Sequence, residues 1–235
     1  MVQGRGQGEA VSLRSNSIPV TRSSLPPFEE YCREIKELWE TRWLTNRGEK
    51  HFLLERALES CLNVRCVSLF VNGHSALECA LEALGIGRDG RDEVITTPFT
   101  FASTTNAIVR KGLQPVFADI YRGNCTIDVA SVESLVTERT GAIMPVHVYG
   151  NICDVDSLER LARKFDLKLI YDAAHAFGAC VGDRSVASYG DASVFSFHAT
   201  KIFNSIEGGA VCYSDPNLRA VLERFANFGL SEDGE

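Results

Sequence analysis

The stretch that decides the fold is Ser193-Val194-Phe195-Ser196-Phe197-His198-Ala199-Thr200-Lys201. Its first half is β-branched and aromatic, which is typical of a buried strand, and small polar residues then end the strand. Most lysines lie on protein surfaces, where water solvates the charge. Lys201 follows an apolar run instead. The sequence therefore predicts a partly desolvated amine, which is a better nucleophile because its pKa is lowered.

A second stretch, Leu169-Ile170-Tyr171-Asp172-Ala173-Ala174-His175, has the same form but presents an acid. If the two runs are neighbouring strands, Asp172 and Lys201 meet at the carboxyl edge of the sheet, where open α/β sheets bind ligands. Pyridoxal phosphate needs an amine for covalent attachment and an anion beside its pyridinium nitrogen, so this pair predicts a pyridoxal-phosphate site. His175 either reaches the same pocket or is a structural imidazole.

Apolar, strand-like runs alternate with helical segments over most of the chain. The predicted strands are 67–71, 93–97, 115–119, 142–148, 168–172, 192–197 and 209–213. The predicted helices that accompany them are 75–84, 101–111, 128–138, 154–165 and 216–228. This alternation predicts an α/β fold in which a mainly parallel, mixed sheet carries helices on both faces.

The chain divides into three predicted segments. Residues 1–17 are rich in Gly, Gln, Ser and Arg and predict a disordered tail. Residues 18–62 predict an N-terminal helical segment, with helices at 28–43 and 49–61. Residues 63–235 predict the large, cofactor-binding domain.

The composition argues against several classes of protein. The net charge of −7 disfavours a nucleic-acid binder, and the longest apolar runs have the length of strands, so we expect no membrane span. Eight scattered cysteines without a C-x-x-C pair favour the reducing cytoplasm. The five histidines lack metal-ligand spacing, and no G-x-S-x-G follows a strand, so we expect neither a metal site nor a serine hydrolase.

Three loop motifs each allow two structural interpretations, and a fourth motif is interpreted as a turn. Asn72-Gly73-His74-Ser75 is either an anion site built from backbone N–H groups or an ordinary turn with Ser75 as N-cap. Phe101 either stacks on a flat cofactor ring or packs in the core. Glu207-Gly208-Gly209 indicates close backbone approach, to a ligand or to a packed neighbour. Residues 85–90 match G-x-G-x-x-G but follow a helix and precede a strand, which predicts a turn and not a nucleotide site.

Several motifs resemble, in the same order along the chain, those of the DegT/StrS-type nucleotide-sugar aminotransferases. They are Leu44-Thr45-Asn46, Thr96-Thr97-Pro98-Phe99-Thr100-Phe101, Pro145-Val146-His147-Val148-Tyr149-Gly150, Tyr171-Asp172-Ala173-Ala174-His175-Ala176-Phe177-Gly178, and Phe195-Ser196-Phe197-His198-Ala199-Thr200-Lys201 with Glu207-Gly208-Gly209-Ala210. The resemblance implies the large domain of the aspartate-aminotransferase-like fold, which is fold type I of the pyridoxal-phosphate enzymes. It also implies transfer of an amino group from an amino acid, usually glutamate, to a nucleotide-linked keto-deoxysugar for polysaccharide or glycoside biosynthesis. The His-Ala-Thr-Lys variant most resembles members that act on dTDP-linked sugars.

The resemblance further implies roles for individual residues. Lys201 would hold pyridoxal phosphate covalently and move a proton, and Asp172 would keep the pyridinium nitrogen protonated. Phe101 would stack on the ring face, with His175 near the ring. The residues that would hold the phosphate are Gly73, His74, Ser75 and Ser196. Some relatives carry histidine in place of the lysine and catalyse dehydration, so the presence of Lys201 favours transamination.

Family members continue well beyond Leu230, into a small C-terminal domain. The resemblance therefore implies that residues 63–235 are the large domain alone. Two hypotheses follow from this: an active aminotransferase, or a non-catalytic remnant that folds and binds the cofactor or a partner chain without turnover. Because active sites of the family lie between two subunits, the resemblance also implies a homodimer.

Overall fold

The computed structural model describes residues 21–230 of the chain. Its helices are α1 (Phe28–Ile35), α2 (Glu37–Thr41), α3 (Glu49–Leu62), α4 (Gly73–Ala83), α5 (Ala102–Arg110), α6 (Val129–Ser134), α7 (Val155–Phe165) and α8 (Leu218–Ala226). Its strands are β1 (Cys66–Phe70), β2 (Glu93–Thr96), β3 (Gln114–Phe117), β4 (Thr140–Ile143), β5 (Lys168–Asp172), β6 (Cys180–Val181), β7 (Arg184–Ser185), β8 (Ala192–Ser196) and β9 (Gly209–Tyr213). Short 3-10 turns occur at Val148–Gly150 and Val186–Ser188.

Seven strands form one sheet in the order β1-β9-β8-β5-β4-β2-β3, and β6 pairs with β7 in a separate hairpin. The strand β9 runs antiparallel to both of its neighbours, β1 and β8. The other neighbouring pairs of the sheet are parallel. Each predicted strand corresponds to one strand of this sheet, and the prediction of an α/β fold with a mainly parallel, mixed sheet is confirmed.

Helices cover both faces of the sheet because alternate strand residues point in opposite directions. Val94 and Ile170 pack into a buried cluster with α4, α5 and α8. Ile95 and Leu169, one position along in each strand, pack with α6 and α7 on the other face. A third cluster packs α3 against β1, β8 and β9. Strands buried on both faces appear in the sequence as near-continuous apolar runs, which is why they were predictable.

The turns and loops after β1, β2, β5 and β8 all leave the same edge of the sheet, since these strands run in one direction. The antiparallel β9 begins at this edge. A Cβ atom added to Gly209 would lie 2.5 Å from the carbonyl carbon of Asn72, so β9 packs backbone to backbone against the turn from β1 to α4. The predicted close approach at residues 207–209 is therefore to a packed neighbour.

Three predicted helical features differ from the structure. The predicted helix 28–43 breaks at Lys36 into α1 and α2, neither of which has a buried residue, and helices this short gain little without packing. The predicted helix 128–138 ends at Ser134. Ser75 is not the N-cap of α4: the Asn72 side chain accepts a hydrogen bond from the Ser75 N–H at 2.8 Å, and asparagine is a favoured N-cap.

Other predictions concern the turn at residues 85–90, the N-terminal tail, membrane spans, cysteines and metal sites. The G-x-G-x-x-G match at residues 85–90 forms turns, as predicted. The predicted tail, residues 1–17, lies outside the described residues. No helix within residues 21–230 is long and apolar enough to cross a membrane. All eight cysteines are free, and the described part of the chain contains no cluster of three His, Cys, Asp or Glu side chains that could hold a metal ion.

Candidate active site

A cleft of about 640 Å³ lies at the carboxyl edge of the sheet. The turn from β1 to α4, the loop from β2 to α5, and the loops after β5 and β8 all contribute to its lining. The predicted site residues that line it are Gly73, His74, Phe101, Asp172, His175, Ser196 and Lys201. The remaining predicted residue, Ser75, is not part of the lining, and its N–H is used by the Asn72 cap.

Lys201 lies in the tight loop that joins β8 to β9. Its backbone N–H donates to the His198 carbonyl at 2.8 Å, and the Ala199 N–H donates to the Ile206 carbonyl at 2.9 Å. The side chain is half-buried, and no residue within 21–230 forms a hydrogen bond or ion pair with its Nζ. Burial lowers the pKa of Lys201, and the nearby Asp172 carboxylate opposes part of that shift. The amine is therefore more often neutral than that of a surface lysine.

The lysine loop is anchored at one point and strained at another. The Phe203 ring stacks on Phe177 at a centroid distance of 4.8 Å and meets Phe197 edge-on at 4.9 Å. Ile206, near the other end of the loop, has φ of 71°, a left-handed conformation that β-branched residues adopt rarely. Backbone strain of this kind concentrates at functional sites, where the surrounding structure maintains it.

Asp172 is the last residue of β5 and is 5% exposed. Its Oδ1 accepts a hydrogen bond from the Ala174 N–H at 3.1 Å, and its Oδ2 accepts one from the Thr104 hydroxyl at 2.7 Å. A buried carboxylate held by two donors has a fixed orientation and can pair with a positively charged group of a ligand. This geometry suits the predicted contact with a pyridinium nitrogen.

Thr104 is a site residue that the sequence analysis did not identify. It lies on α5, is fully buried, and also forms a hydrogen bond with the Thr100 hydroxyl at 2.7 Å. The sequence contained a signal for it: Thr104 shares one helical face with Ala107 and Ile108, which are buried. A hydroxyl on an apolar helix face needs a hydrogen-bond partner, and here the partner is Asp172.

His175 is oriented by Tyr149, a second residue that the sequence analysis did not assign to the site. The Tyr149 N–H donates to Nδ1 of His175 at 3.2 Å, so Nε2 carries the hydrogen of the neutral ring. The two rings stack in parallel with centroids 5.9 Å apart, and Tyr149 has a left-handed φ of 55°. Burial lowers the pKa of His175, and the Lys201 charge lowers it further. His175 is therefore a neutral hydrogen-bond donor next to the lysine.

The N-terminus of α4 forms a candidate anion site. Gly73 and His74 begin this helix, and none of the described residues accepts a hydrogen bond from their backbone N–H groups. Free N–H groups and the helix dipole together favour a bound phosphate. The helix starts so close to β8 that a Cβ atom on Gly73 would lie 2.9 Å from the Ser196 Cβ, which brings the Ser196 hydroxyl to the same place.

The His74 imidazole is tied to neighbouring side chains. Its Nδ1 lies 3.1 Å from the Ser103 Oγ on α5, and its Nε2 lies 3.4 Å from a carboxylate oxygen of Glu78. Both ring nitrogens therefore have protein partners, and the side chain connects α4 to α5 across the cleft. The backbone N–H of His74, and not its ring, is the group that this geometry offers to an anion.

Phe101 caps α5 at the rim of the cleft and is 74% exposed, so the alternative of core packing is wrong. Phe99 and Tyr149 line the same cleft and meet each other edge to face, with their ring centroids 6.1 Å apart. Exposed aromatic rings at a cleft are available to cover a flat ligand.

These residues fit pyridoxal phosphate. The fit depends on three observations: the amine of Lys201 lacks a protein partner among residues 21–230, Asp172 is held as an oriented acid, and the start of α4 is closed to any side chain at Gly73. The cofactor has matching parts, namely an aldehyde, a ring nitrogen and a phosphate.

The chain is similar to proteins with established names. It is 44% identical, over 91% of its length, to a dTDP-4-amino-4,6-dideoxy-D-glucose transaminase of Shigella dysenteriae. Its structure superposes with a TM-score of 0.85, at 32% identity over 90% of the chain, on PseC of Helicobacter pylori, an aminotransferase involved in the biosynthesis of pseudoaminic acid. It superposes with a TM-score of 0.80, at 29% identity over 86% of the chain, on NtdA from Bacillus subtilis with bound cofactor PMP.

The chain spans about half the length of these relatives: 57% of the Shigella transaminase, 56% of PseC and 45% of NtdA. Residues 28–235 match the model of the DegT/DnrJ/EryC1/StrS aminotransferase family. Every residue that lines the cleft lies within this matched range. The chain thus belongs to the DegT/DnrJ/EryC1/StrS aminotransferase family.

Proposed function

We propose that this chain binds pyridoxal phosphate in the cleft and transfers an amino group from an amino acid, glutamate, to a dTDP-linked keto-deoxysugar. The observation that carries the proposal is the position of Lys201. Its half-buried amine has no partner among residues 21–230, and it lies near the oriented carboxylate of Asp172. In the overall reaction the amino acid leaves as a keto acid and the keto-sugar leaves as an amino sugar.

The role proposed for each side chain follows from its protonation state. Lys201 would bind the cofactor through its neutral amine and would move the proton during the transfer, and the lowering of its pKa by burial favours the neutral form that both roles require. Asp172 supplies the anion for the ring nitrogen. Bound pyridoxal phosphate supplies an electron sink for the bond that breaks at the amino-bearing carbon. His175 donates from Nε2 to an oxygen of the ligand in the cleft, because its Nδ1 is occupied by Tyr149.

The remaining predicted residues orient the ligand. The backbone N–H groups of Gly73 and His74 and the Ser196 hydroxyl would hold the phosphate, and Phe101 would cover one face of the ring. The role of the Ser75 side chain stays a prediction, because the geometry lends it no support.

The substrate class is proposed from the relatives. The Shigella relative is named for a dTDP-linked 4-amino-4,6-dideoxy sugar, and others are GDP-perosamine synthases from Caulobacter vibrioides and Vibrio cholerae. The higher identity to the dTDP enzyme, 44% against 36% and 37%, favours a dTDP carrier.

The setting in which the site works is part of the same proposal. We place residues 63–235 in the large domain of a cytoplasmic homodimer, with residues 18–62 as its helical extension. Exposed apolar side chains at and near the rim, such as Phe101, Tyr149 and Ile202, offer a second copy a surface to cover, and the free cysteines suit a reducing compartment.

The test uses the purified 235-residue chain. Pyridoxal phosphate is added, the visible spectrum is recorded, and borohydride reduction is followed by peptide mass mapping. We expect a visible band from the attached cofactor and an adduct on Lys201. Glutamate should then bleach this band, and dTDP-, GDP- and UDP-linked 4-keto-6-deoxysugars should restore it at different rates, the dTDP sugar fastest. A folded chain without the band, or with its adduct on another lysine, would refute the proposal.

A further inference from the structure

Two threonine hydroxyls form a chain from the wall of the cleft to the buried acid. Thr100 lines the cleft, and its Oγ1 lies 2.7 Å from the Oγ1 of Thr104. Thr104 in turn donates to Oδ2 of Asp172 at 2.7 Å. Thr104 is 0% exposed, so within the described structure water does not replace either contact.

The direction of these hydrogen bonds follows from counting hydrogens. A hydroxyl group has one hydrogen to donate, and an ionised carboxylate can only accept. The hydrogen of Thr104 is therefore committed to Asp172, and Thr104 must accept from Thr100. Hydrogen bonds to an ionised group are shorter and roughly twice as strong as those between neutral groups.

The Asp172 carboxylate is held from two directions. Ala174 donates its N–H to Oδ1 from the chain that follows β5, whereas Thr104 donates to Oδ2 from α5. Without the second donor, the group could rotate about its Cβ–Cγ bond, since the terminal torsion of aspartate has broad minima. The helix that carries Thr104 also carries Phe101 at its N-cap. One rigid element therefore sets the position of both the acid and the ring that covers the ligand.

We propose that Thr104 is a positioning residue that acts through Asp172: it fixes the carboxylate plane toward the cofactor nitrogen, with Thr100 completing the hydroxyl chain. This inference rests on the proposed function, since it presumes that the cleft binds pyridoxal phosphate. It concerns a residue that is not part of the cleft lining.

The experiment measures the dissociation constant of pyridoxal phosphate for the purified chain by spectral titration. Thr104→Val keeps the shape but removes the hydroxyl, and we expect binding about tenfold weaker because a hydrogen bond to a charged group is lost. Thr104→Ser restores the hydroxyl, and we expect a dissociation constant within about twofold of the wild type. The same Thr104→Val change in an Asp172→Asn background should have little further effect, because its target is already altered.

Thr126→Val is the matched control. Thr126 is also buried, and its hydroxyl bonds to Asn124 Oδ1 at 2.9 Å, outside the cleft lining. We expect it to leave the dissociation constant unchanged. If Thr104→Val yields no soluble protein, Thr104→Ala serves in its place with the same expected loss.

Two results would overturn the inference while leaving the proposed function intact. In one, Thr104→Val binds as tightly as a wild-type chain that does bind the cofactor. In the other, Thr104→Val weakens binding equally with Asp172 and with Asn at position 172, which would mean that Thr104 acts through the packing of α5. A wild-type chain that binds no pyridoxal phosphate would instead contradict the proposed function itself.

Discussion

The two edges of the sheet use charged side chains in opposite ways. At the amino edge, charged residues at or just before the strand starts pair with each other: Lys168 Nζ lies 3.1 Å from Asp191 Oδ1, and Arg139 lies 2.9 Å from Asp92. Asp191 also accepts the Leu169 N–H at 2.9 Å, so it ties β5 to the start of β8.

The carboxyl edge leaves one amine and two backbone donors open to a ligand. Within residues 21–230, the amine of Lys201 has no ion pair, and the first N–H groups of α4 have no acceptor. Unmatched groups cost stability unless something binds them. The difference teaches that a candidate active edge is recognised by the polar groups that lack a protein partner, and not by the number of its charges.

Lys201→Ala should have the largest effect, because it removes the one amine placed for covalent attachment. We expect complete loss of the borohydride-stable adduct, measured as intact mass after incubation with pyridoxal phosphate. Lys168→Ala, at the opposite edge, is the control and should keep the adduct. A stable adduct that persists in Lys201→Ala would contradict the distinction between the two edges.

His147 should make the free energy of unfolding of the chain depend on pH. It is fully buried, its backbone N–H donates to the Asp172 carbonyl at 3.0 Å, and burial lowers its pKa to about 4. In the unfolded chain the pKa is about 6.5, so between these values the unfolded state binds the additional proton. Stability should therefore fall by about 3 kcal/mol as the pH drops from 7 to 4.

Urea unfolding of the wild type and of His147→Gln at several pH values tests this expectation. The variant should lack that part of the pH dependence, whatever its stability at pH 7. Identical slopes in the two proteins would assign the acid sensitivity to other groups.

The strands and the neighbouring positions of the lysine and acid loops could be predicted because both follow from short-range patterns in the sequence, whereas the phosphate role of Ser196 was expected only from the family resemblance. Lys201 and Asp172 end apolar runs, and the strand order brings the two runs side by side. The split at Lys36 was not predictable from helical spacing, since it depends on whether α1 and α2 pack against anything. Tyr149 was missed because its contribution also depends on the tertiary structure. It donates a backbone N–H from a left-handed turn, and the chemistry of its side chain does not indicate this role.

The two-residue strands β6 and β7 were also beyond prediction, because a pair so short has no periodicity. Ser75 was predicted from the preference of serine for helix starts, but Asn72 has the same preference and lies one turn earlier. Residue preference alone allowed either Asn72 or Ser75 as the N-cap of α4, and the geometry of the turn selects Asn72.

Ile206→Gly should stabilise the chain, which would sharpen the view that the carboxyl edge is strained. The side chain is 60% exposed, so little burial is lost, while glycine relieves the left-handed backbone at φ 71°. We expect a gain of about 1 kcal/mol in the free energy of unfolding. Ile202→Gly is the matched control in the same loop, because Ile202 is 80% exposed and has no positive φ. Equal shifts of the two urea midpoints would contradict the strain.

Lys168→Ala should have the smallest effect on stability. The pair with Asp191 lies at the surface, and such pairs contribute about 0.5 kcal/mol. Asp191 keeps its backbone contact with Leu169 in the variant. The unfolding curves of the wild type and of Lys168→Ala should differ at low salt and coincide at about 1 M salt, because salt screens an exposed ion pair. A difference that survives high salt would mean that the amino edge depends on more than charge.

The position of β9 links the order of synthesis to the completion of the cleft. Cys66 pairs with Tyr213, and within residues 21–230 the strand β1 has β9 as its sole neighbour in the sheet. On the ribosome, β1 and the turn that begins α4 emerge early and remain unpaired until β9 has been made. Because Gly209 packs on Asn72, the turn for which we propose phosphate binding gains its support from one of the last strands of the sheet to be translated. A nascent chain therefore has both halves of the lysine–acid pair before the turn at the start of α4 has its packing partner.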